Sequence, residues 1–345
     1  MEKGRCTLDE ILTQSDAWAE ALAEVGALKQ SIGAIAQRRY SRFIFTGCGS
    51  SYYLSLAAAT FFQAMTGICA QAVPSGELLM NPEGHYAGND THLFVFSRSG
   101  TTSEVIESVQ TFKAAQAGDA FSLSVYENTP LESISDYYLP IRAGAEKSIA
   151  QTRAFTSMYV AITAITTLIA GRPDLFEEMK RLPDIGQTLL ETSQPYAREV
   201  GENLDFDRFY FLGSGERYGL ACEGNLKMKE MAITHTEPFP FLEFRHGPIS
   251  MVDENTVIVG LLSESYHAYE AGVLDDAKKL GACIVSLSER DANVSFDSAL
   301  PEGIRNVLYL PPLQLMAFYR SIKKGFNPDR PRNLNSVVYL EQAKG

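Results

Sequence analysis

Glu223, Lys227 and Glu230 stand at i, i+4 and i+7 in the segment EGNLKMKE, residues 223 to 230. That spacing puts all three on one face of a helix. Two readings are open: a surface ion-pair ladder, or a carboxylate kept ionised by a lysine one turn earlier for acid–base work. Sixteen residues after Glu230, His246 lies in Phe-Arg-His-Gly-Pro, a segment with little propensity for regular structure. An imidazole titrates near neutrality and suits proton transfer, although a loop histidine is more often structural than catalytic.

A different chemistry, anion binding, is suggested by RFIFTGCGSS, residues 42 to 51. Bulky and polar residues alternate through Thr46, and then Gly47, Cys48, Gly49, Ser50 and Ser51 strip the side chains away. A strand running through Gly-x-Gly into a helix holds anions, because glycines let the backbone approach and the first helical amides point at the charge. Tyr52 occupies the place of a third glycine and no Gly-Lys-Ser/Thr follows, which disfavours a dinucleotide site and a P-loop. Ser50 and Ser51 suit a small phosphate ester; the plain alternative is a tight turn with a serine N-cap.

HLFVFSRSGTTSEVIE, residues 92 to 107, makes the same offer again. Ser97, Ser99 and Thr102 can converge on one anion at a helix N-terminus, with Arg98 as a local cation. A Thr101–Glu104 capping box accounts for only some of the hydroxyls in this turn. With Thr46, Ser50, Ser51, Thr101 and Ser103, eight hydroxyl residues surround two strand ends and are predicted to share one phosphate.

The opening stretch is echoed by RFYFLGSGER, 166 residues later. A repeat at that distance predicts two domains of one fold. In the first half the pattern predicts helix 52–65, strand 68–73, strand 93–96, helix 102–115, strand 120–125, strand 137–141 and helix 150–169. In the second it predicts helix 218–233, strand 257–262, helix 267–280, strand 283–287, strand 307–310 and helix 313–322. Short continuous apolar strands alternating with helices predict parallel sheets covered on both faces. The domain plan is an N-terminal helical segment (1–34), a first domain (35–170), a helical connector (171–206), a second domain (207–325) and a C-terminal tail (326–345).

The chain has 345 residues, a hydrophobic fraction of 45% and a formal net charge of −12. A soluble globular protein fits, and a nucleic-acid partner is disfavoured for want of a basic stripe. Cys6, Cys48, Cys69, Cys222 and Cys283 are scattered without a CxxC pair, which fits a reducing compartment and argues against a zinc site. The longest apolar run, 158–170, has thirteen residues and is too short to span a bilayer. With no apolar signal core at the N-terminus, the expectation is cytoplasmic, with no membrane partner.

From about residue 35 to 342 the chain resembles the sugar isomerase (SIS) family, more narrowly the isomerase domain of glucosamine-6-phosphate synthase and its stand-alone hexosamine-6-phosphate deaminase and deglycase relatives. The resemblance rests on GCGSS, SRSGTTSE, AQTRAF (150–155), LGSGERY, EGNLKMKE, EFRHGP and DRPRNL. It implies an α/β fold of two three-layer αβα sandwich domains with central parallel sheets, in a homodimer whose active sites lie at the subunit interface, with no cofactor or metal. It implies a sugar-phosphate grip by Ser50, Ser51, Ser97, Ser99 and Thr102, with Arg98 beside them, and a substrate pocket including Gly49, Gln151 and Lys227. It gives Glu230 proton transfer between C1 and C2, and His246, from the neighbouring subunit, ring opening. The sixteen-residue spacing from Glu230 to His246 is shared with the synthase-like enzymes.

The chain departs from that pattern in four places. Arg98 stands where the synthase has glutamine, and Gln151 where it has serine. A glutamine-hydrolysing domain is missing from the sequence. Asn335 and Ser336 fall where the synthase tail carries an imine-forming lysine. His235 reads as structural, and His85, His92 and His267 have no motif around them. The expected activity is isomerisation and deamination of a hexosamine 6-phosphate, the alternatives being a fructosamine-type 6-phosphate deglycase and a non-catalytic sugar-phosphate sensor.

Overall fold

The computed structural model describes residues 3–340 apart from Arg39 and Ala87. The last five positions of the expected tail, 341–345, lie outside the described residues, as do the first two of the N-terminal segment. The chain divides into two compact units. The first comprises Asp16–Ala145, Arg153–Glu177 and the chain from Asn335; the second comprises the chain through Ser15, Glu146–Thr152 and Glu178–Leu334.

The chain opens with helices α1 (Arg5–Leu12), α2 (Gln14–Ala27) and α3 (Lys29–Gln37). The first sheet is laid down by β1 (Arg42–Gly47), α4 (Ser50–Thr66), β2 (Ala70–Pro74), α5 (Ser75–Met80) and β3 (Thr91–Phe96). It is completed by α6 (Ser103–Ala114), β4 (Gly118–Ser124), α7 (Pro130–Ile134) and β5 (Tyr137–Pro140), and α8 (Arg153–Ile169) follows. All neighbours are parallel in the order β2-β1-β3-β4-β5. Every residue of β3 is buried, as a central strand covered by helices on both faces requires. Phe43, Phe45, Phe62 and Phe94 pack ring against ring in the core, with Phe43 and Phe62 4.3 Å apart at their centroids. Trp18 of α2 is buried and donates from Nε1 to Thr156 Oγ1 of α8.

The second unit begins from the helices α9 (Pro173–Met179) and α10 (Leu182–Glu202); α9 itself is divided between the two units. Then come β6 (Arg208–Leu212), α11 (Glu216–Ala232), β7 (His235–Phe239), α12 (Phe241–Phe244) and β8 (Thr256–Leu261). The chain continues through α13 (His267–Lys279), β9 (Cys283–Ser288), β10 (Val294–Ser295) and α14 (Leu310–Lys323). The parallel order β10-β9-β8-β6-β7 is that of the first sheet, strand for strand. In both, strand order reverses between the first and third strands, the switch point beyond whose carboxyl ends open α/β sheets bind ligands.

Two expectations are corrected. Residues 307–310 are not a strand: Asn306–Tyr309 form a 3₁₀ turn that leads directly into α14. Pro311 and Pro312 sit in the first turn of that helix, where a missing N–H and a fixed φ do no harm. The apolar run is therefore a buried helix entry. The Thr101–Glu104 capping box does not form either, since α6 starts at Ser103 with Thr102 as N-cap and no side-chain cap bond. Strand β7 was not predicted; HTEPF is polar and contains proline, which an edge strand tolerates.

Candidate functional site

In the first unit both hydroxyl turns leave the carboxyl ends of the adjacent strands β1 and β3, at the switch point. Gly49 takes φ 56°, ψ −123°, a conformation that a side chain resists, and a Cβ there would meet nothing within 4 Å. Helix α4 begins at Ser50, and Ser50 and Ser51 are both buried. Ser97 Oγ accepts from Gly100 N at 3.1 Å and Ser99 Oγ from Thr101 N at 3.1 Å. Thr102 Oγ1 lies 3.5 Å from Ser99 Oγ. A hydroxyl that accepts still has a proton to donate, so Ser97 and Ser99 are oriented by the turn with donors left for an anion.

Thr46 is not part of this cluster, contrary to expectation. Its hydroxyl donates to Val73 O at 2.8 Å and meets Ser75 Oγ at 3.0 Å. Arg98 is buried, and its guanidinium donates to the backbone carbonyl of Ser336 at 3.1 Å.

In the second unit the matching turn, Gly213-Ser214-Gly215, repeats the first: Gly215 has φ 60°, ψ −135°. The surroundings differ. Ser214 Oγ accepts from Phe241 N, and Glu216 accepts from Asn306 Nδ2 at 2.8 Å. Arg217 donates to Glu302 at 2.7 Å and to Glu270 at 3.2 Å. Ser265, just past β8, donates to the other oxygen of Glu302 at 3.2 Å. A carboxylate of the chain itself thus bridges the start of α11 and the turn after β8.

Helix α11 carries the acid–base candidates. Glu223 and Lys227 are sealed from solvent, with 0% and 1% of their side chains exposed, while Glu230 keeps 19%. The Lys227 ammonium sits 3.2 Å from Glu223 and 2.5 Å from Glu230. Burial pulls its pKa down, but the two carboxylates outweigh burial and hold it above the ordinary lysine value. The surface-ladder reading is therefore excluded: a cation between two carboxylates inside the protein carries a desolvation cost that surface pairs avoid. Glu230 lines a cavity of about 180 Å³ together with Ile233, Phe326, Arg330 and Arg332.

His246 is exposed after α12, and the next residue, Gly247, has φ 131°. Among the described residues no hydrogen bond or ion pair links His246 to Glu230. Gln151 belongs to the second unit, half-buried, with a buried Oε1 that has no hydrogen-bond partner. Arg330 and Arg332 were assigned no role from sequence, although both lie in DRPRNL; two cations in a proline-broken tail segment were the available signal. Among the described residues, no group of His, Cys, Asp or Glu could hold a metal ion, and no helix is long and apolar enough to cross a membrane.

The SIS domain family model matches residues 35–168 and 205–309. Glutamine–fructose-6-phosphate aminotransferase [isomerizing] of Sulfolobus acidocaldarius is 30% identical over 346 residues, covering 98% of this chain and 54% of that protein. The same enzyme of Methanothermobacter thermautotrophicus is 27% identical over 339 residues, covering 94% of this chain and 54% of that protein. The chain thus spans about half the length of these relatives. Among solved structures, glucosamine-6-phosphate deaminase from Thermotoga maritima superposes with a TM-score of 0.79 at 25% identity, covering 93% of this chain and 100% of the other. Tagatose-6-phosphate ketose/aldose isomerase from Escherichia coli has the same fold, with a TM-score of 0.85 at 22% identity over 99% of this chain and 98% of the other. With both of its sheets covered by the family match, the chain belongs to the SIS-domain family, among whose members are phosphosugar isomerases.

Proposed function

We infer that this chain isomerises a hexosamine 6-phosphate and releases its nitrogen as ammonia. The observation that carries the reading is the buried line Glu223–Lys227–Glu230, which holds a lysine-paired carboxylate at the wall of a small cavity. A sugar-binding module has no need of such a group, whose burial costs stability. The hydroxyl turns at the first switch point supply the phosphate grip.

In the open-chain amino sugar, Glu230 takes the proton from C2 and returns it to C1. The oxygen on C1 gains a proton, the nitrogen gives one up, and C2=N forms. Water adds to C2, the C–N bond breaks, and ketose phosphate and ammonia leave. Lys227, whose ammonium donates to Glu230 Oε2 at 2.5 Å, orients that carboxylate. His246 is assigned the ring-opening proton transfer, on a neighbouring copy of the chain in a homodimer, because it is exposed and, among the described residues, makes no hydrogen bond or ion pair with Glu230.

The test is to incubate the protein with glucosamine and galactosamine 6-phosphates and assay ammonia and ketose phosphate together. Equal yields of the two products support the reading; tight binding of the sugar phosphate without either product would leave a sensor in its place. A mixed dimer of Glu230→Gln and His246→Ala chains is expected to regain activity, and well-formed mixed dimers that stay inactive would place both groups in one chain.

A further inference from the structure

Helix α1 has no cap of its own. Gly4 stands at its N-cap in a left-handed conformation, no side chain there accepts from the first turn, and that turn holds no acidic residue. The first amides of a helix are orphan donors at the positive end of its dipole, so a carboxylate suits them. Asp329, 322 residues away, supplies it: its Oδ1 accepts from Thr7 N and from Thr7 Oγ1, both at 2.8 Å. Thr7 is fully buried. Two more bonds run the same way, from Gly4 N to Asn327 Oδ1 and from Lys3 Nζ to Gly325 O, each at 3.0 Å. One turn further along α1, the buried Glu10 accepts from Lys147 N at 2.5 Å and from Ser148 N at 3.2 Å. That segment also reaches Asp329, whose main-chain carbonyl accepts from Ile149 N at 3.1 Å. The side chain and the main chain of Asp329 are thus both held, and all of these residues belong to the second unit.

Residues 325–332 follow α14 without forming a helix or a strand, and they line the Glu230 cavity. Within the stretch, Arg330 N donates to Asn327 O and Asp329 N to Asn327 Oδ1, bonds that shape a turn but do not attach it to the fold. The bonds from residues 3–7 attach it. We propose that Thr7 and Asp329 are positioning residues for proton transfer at Glu230, a clasp that fixes the cavity wall carrying Phe326, Arg330 and Arg332 against that carboxylate. Both lie outside the segments 35–168 and 205–309 that the SIS model matches. The clasp acts through residues 325–332, which hold the reacting carbon within reach of Glu230; a wall misplaced by ~1 Å can cost about 10²-fold in rate. This rests on Glu230 as the base of the reaction inferred above and extends the machinery to a helix that precedes the first sheet.

Thr7→Val, which keeps the shape of the side chain and removes its hydroxyl donor, tests this in the full chain by two readouts. Amide hydrogen exchange is expected to quicken about tenfold in peptides covering 325–332 and to stay unchanged in the strands of the second sheet. With glucosamine 6-phosphate, assayed well below the unfolding midpoint, kcat is expected to fall about tenfold with KM little changed. Thr7→Ser restores the donor and Asp329→Asn retains an oxygen acceptor, so each is expected to recover most of both effects. Unchanged exchange in Thr7→Val refutes the clasp whatever the activity. Faster exchange with an unchanged kcat overturns the positioning role and leaves the reading of Glu230 standing. A loss of kcat as large in Thr7→Ser as in Thr7→Val assigns the loss to packing and refutes the hydrogen bond as its cause. If the wild-type chain turns over no hexosamine 6-phosphate, the reading and the positioning role fall together, and the exchange result alone decides whether the clasp forms.

Discussion

At the first switch point Ser97 and Ser99 accept hydrogen bonds from their own turn, and Ser99 and Thr102 share one between their hydroxyls. At the second, Arg217 at the start of α11 and Ser265 in the turn after β8 stand past the equivalent strands, and both are engaged by Glu302. Strand order and the backbone of the Gly-x-Gly turn are the same in the two units. The difference shows that a duplicated backbone turn can be lined by hydroxyls in one unit and filled by the chain's own charged side chains in the other. With its crevice filled from within, the second unit carries its distinctive charges further along α11, at Glu223, Lys227 and Glu230.

Four measurements would break or sharpen that contrast. The largest effect is expected at the filled niche. Arg217 and Glu270 are almost wholly buried, so Arg217→Ala leaves an uncompensated buried charge and should cost about 3–5 kcal/mol, read as a fall in the denaturant midpoint. A change below ~1 kcal/mol would mean that the network does not hold the second unit together. Next, Glu230→Gln should lower kcat at least ~10²-fold while leaving phosphate-analogue binding nearly intact. Normal turnover in that variant removes Glu230 from proton transfer.

The third contrast concerns acid. His92 on β3 is fully buried among Tyr40, Phe43 and Phe94, with neither ring nitrogen hydrogen-bonded, and burial pushes its pKa down to about 3. Asp119 and Asp136 raise it and Arg38 lowers it, without cancelling burial. By strand register the second sheet has Val257 at the equivalent place, opposite Phe209 as His92 is opposite Phe43. A folded pKa below the unfolded value of about 6.5 means that stability is fully present above pH 6.5 and is lost as pH falls from there toward 3. The loss at pH 5 should be about 2 kcal/mol. His92→Val is expected to flatten the slope of stability against pH between 6.5 and 4; an unchanged slope would assign the acid sensitivity to other groups. Smallest, Ser97→Ala and Thr102→Ala should each weaken substrate binding by roughly 0.5–1.5 kcal/mol, seen in KM rather than kcat. Equal losses from Ser214→Ala in the second unit would erase the distinction between the niches.

Much of this was legible in the sequence because the features that dictate it are local. Gly49 and Gly215 adopt positive φ, so the turn that requires them prints the same glycines twice. Apolar strands between helices gave away both sheets. Residues 307–310 misled because a buried helix entry and a buried strand are equally apolar, and only Pro311 and Pro312 distinguish them. The i, i+4, i+7 spacing of Glu223, Lys227 and Glu230 is the same on a surface or in a core. Their burial depends on long-range packing, including that of α14 against α11, which no window of sequence contains. The tie between Arg217 and Glu302 is likewise a contact between distant segments, and Arg330 and Glu230 line one cavity from distant parts of the chain.

The hydrogen bond from Arg98 ends on the main-chain carbonyl of Ser336, not on its side chain. Substitution at position 336 therefore leaves the acceptor in place, whereas an inserted or deleted residue displaces it by up to about 3.3–3.6 Å, more than a hydrogen bond tolerates. Anchorage of the tail in the first unit is thus a matter of chain length and indifferent to residue identity. A tail bearing a lysine and one bearing Asn335 and Ser336 can share the same attachment, which leaves this stretch free to change its chemistry without losing its moorings.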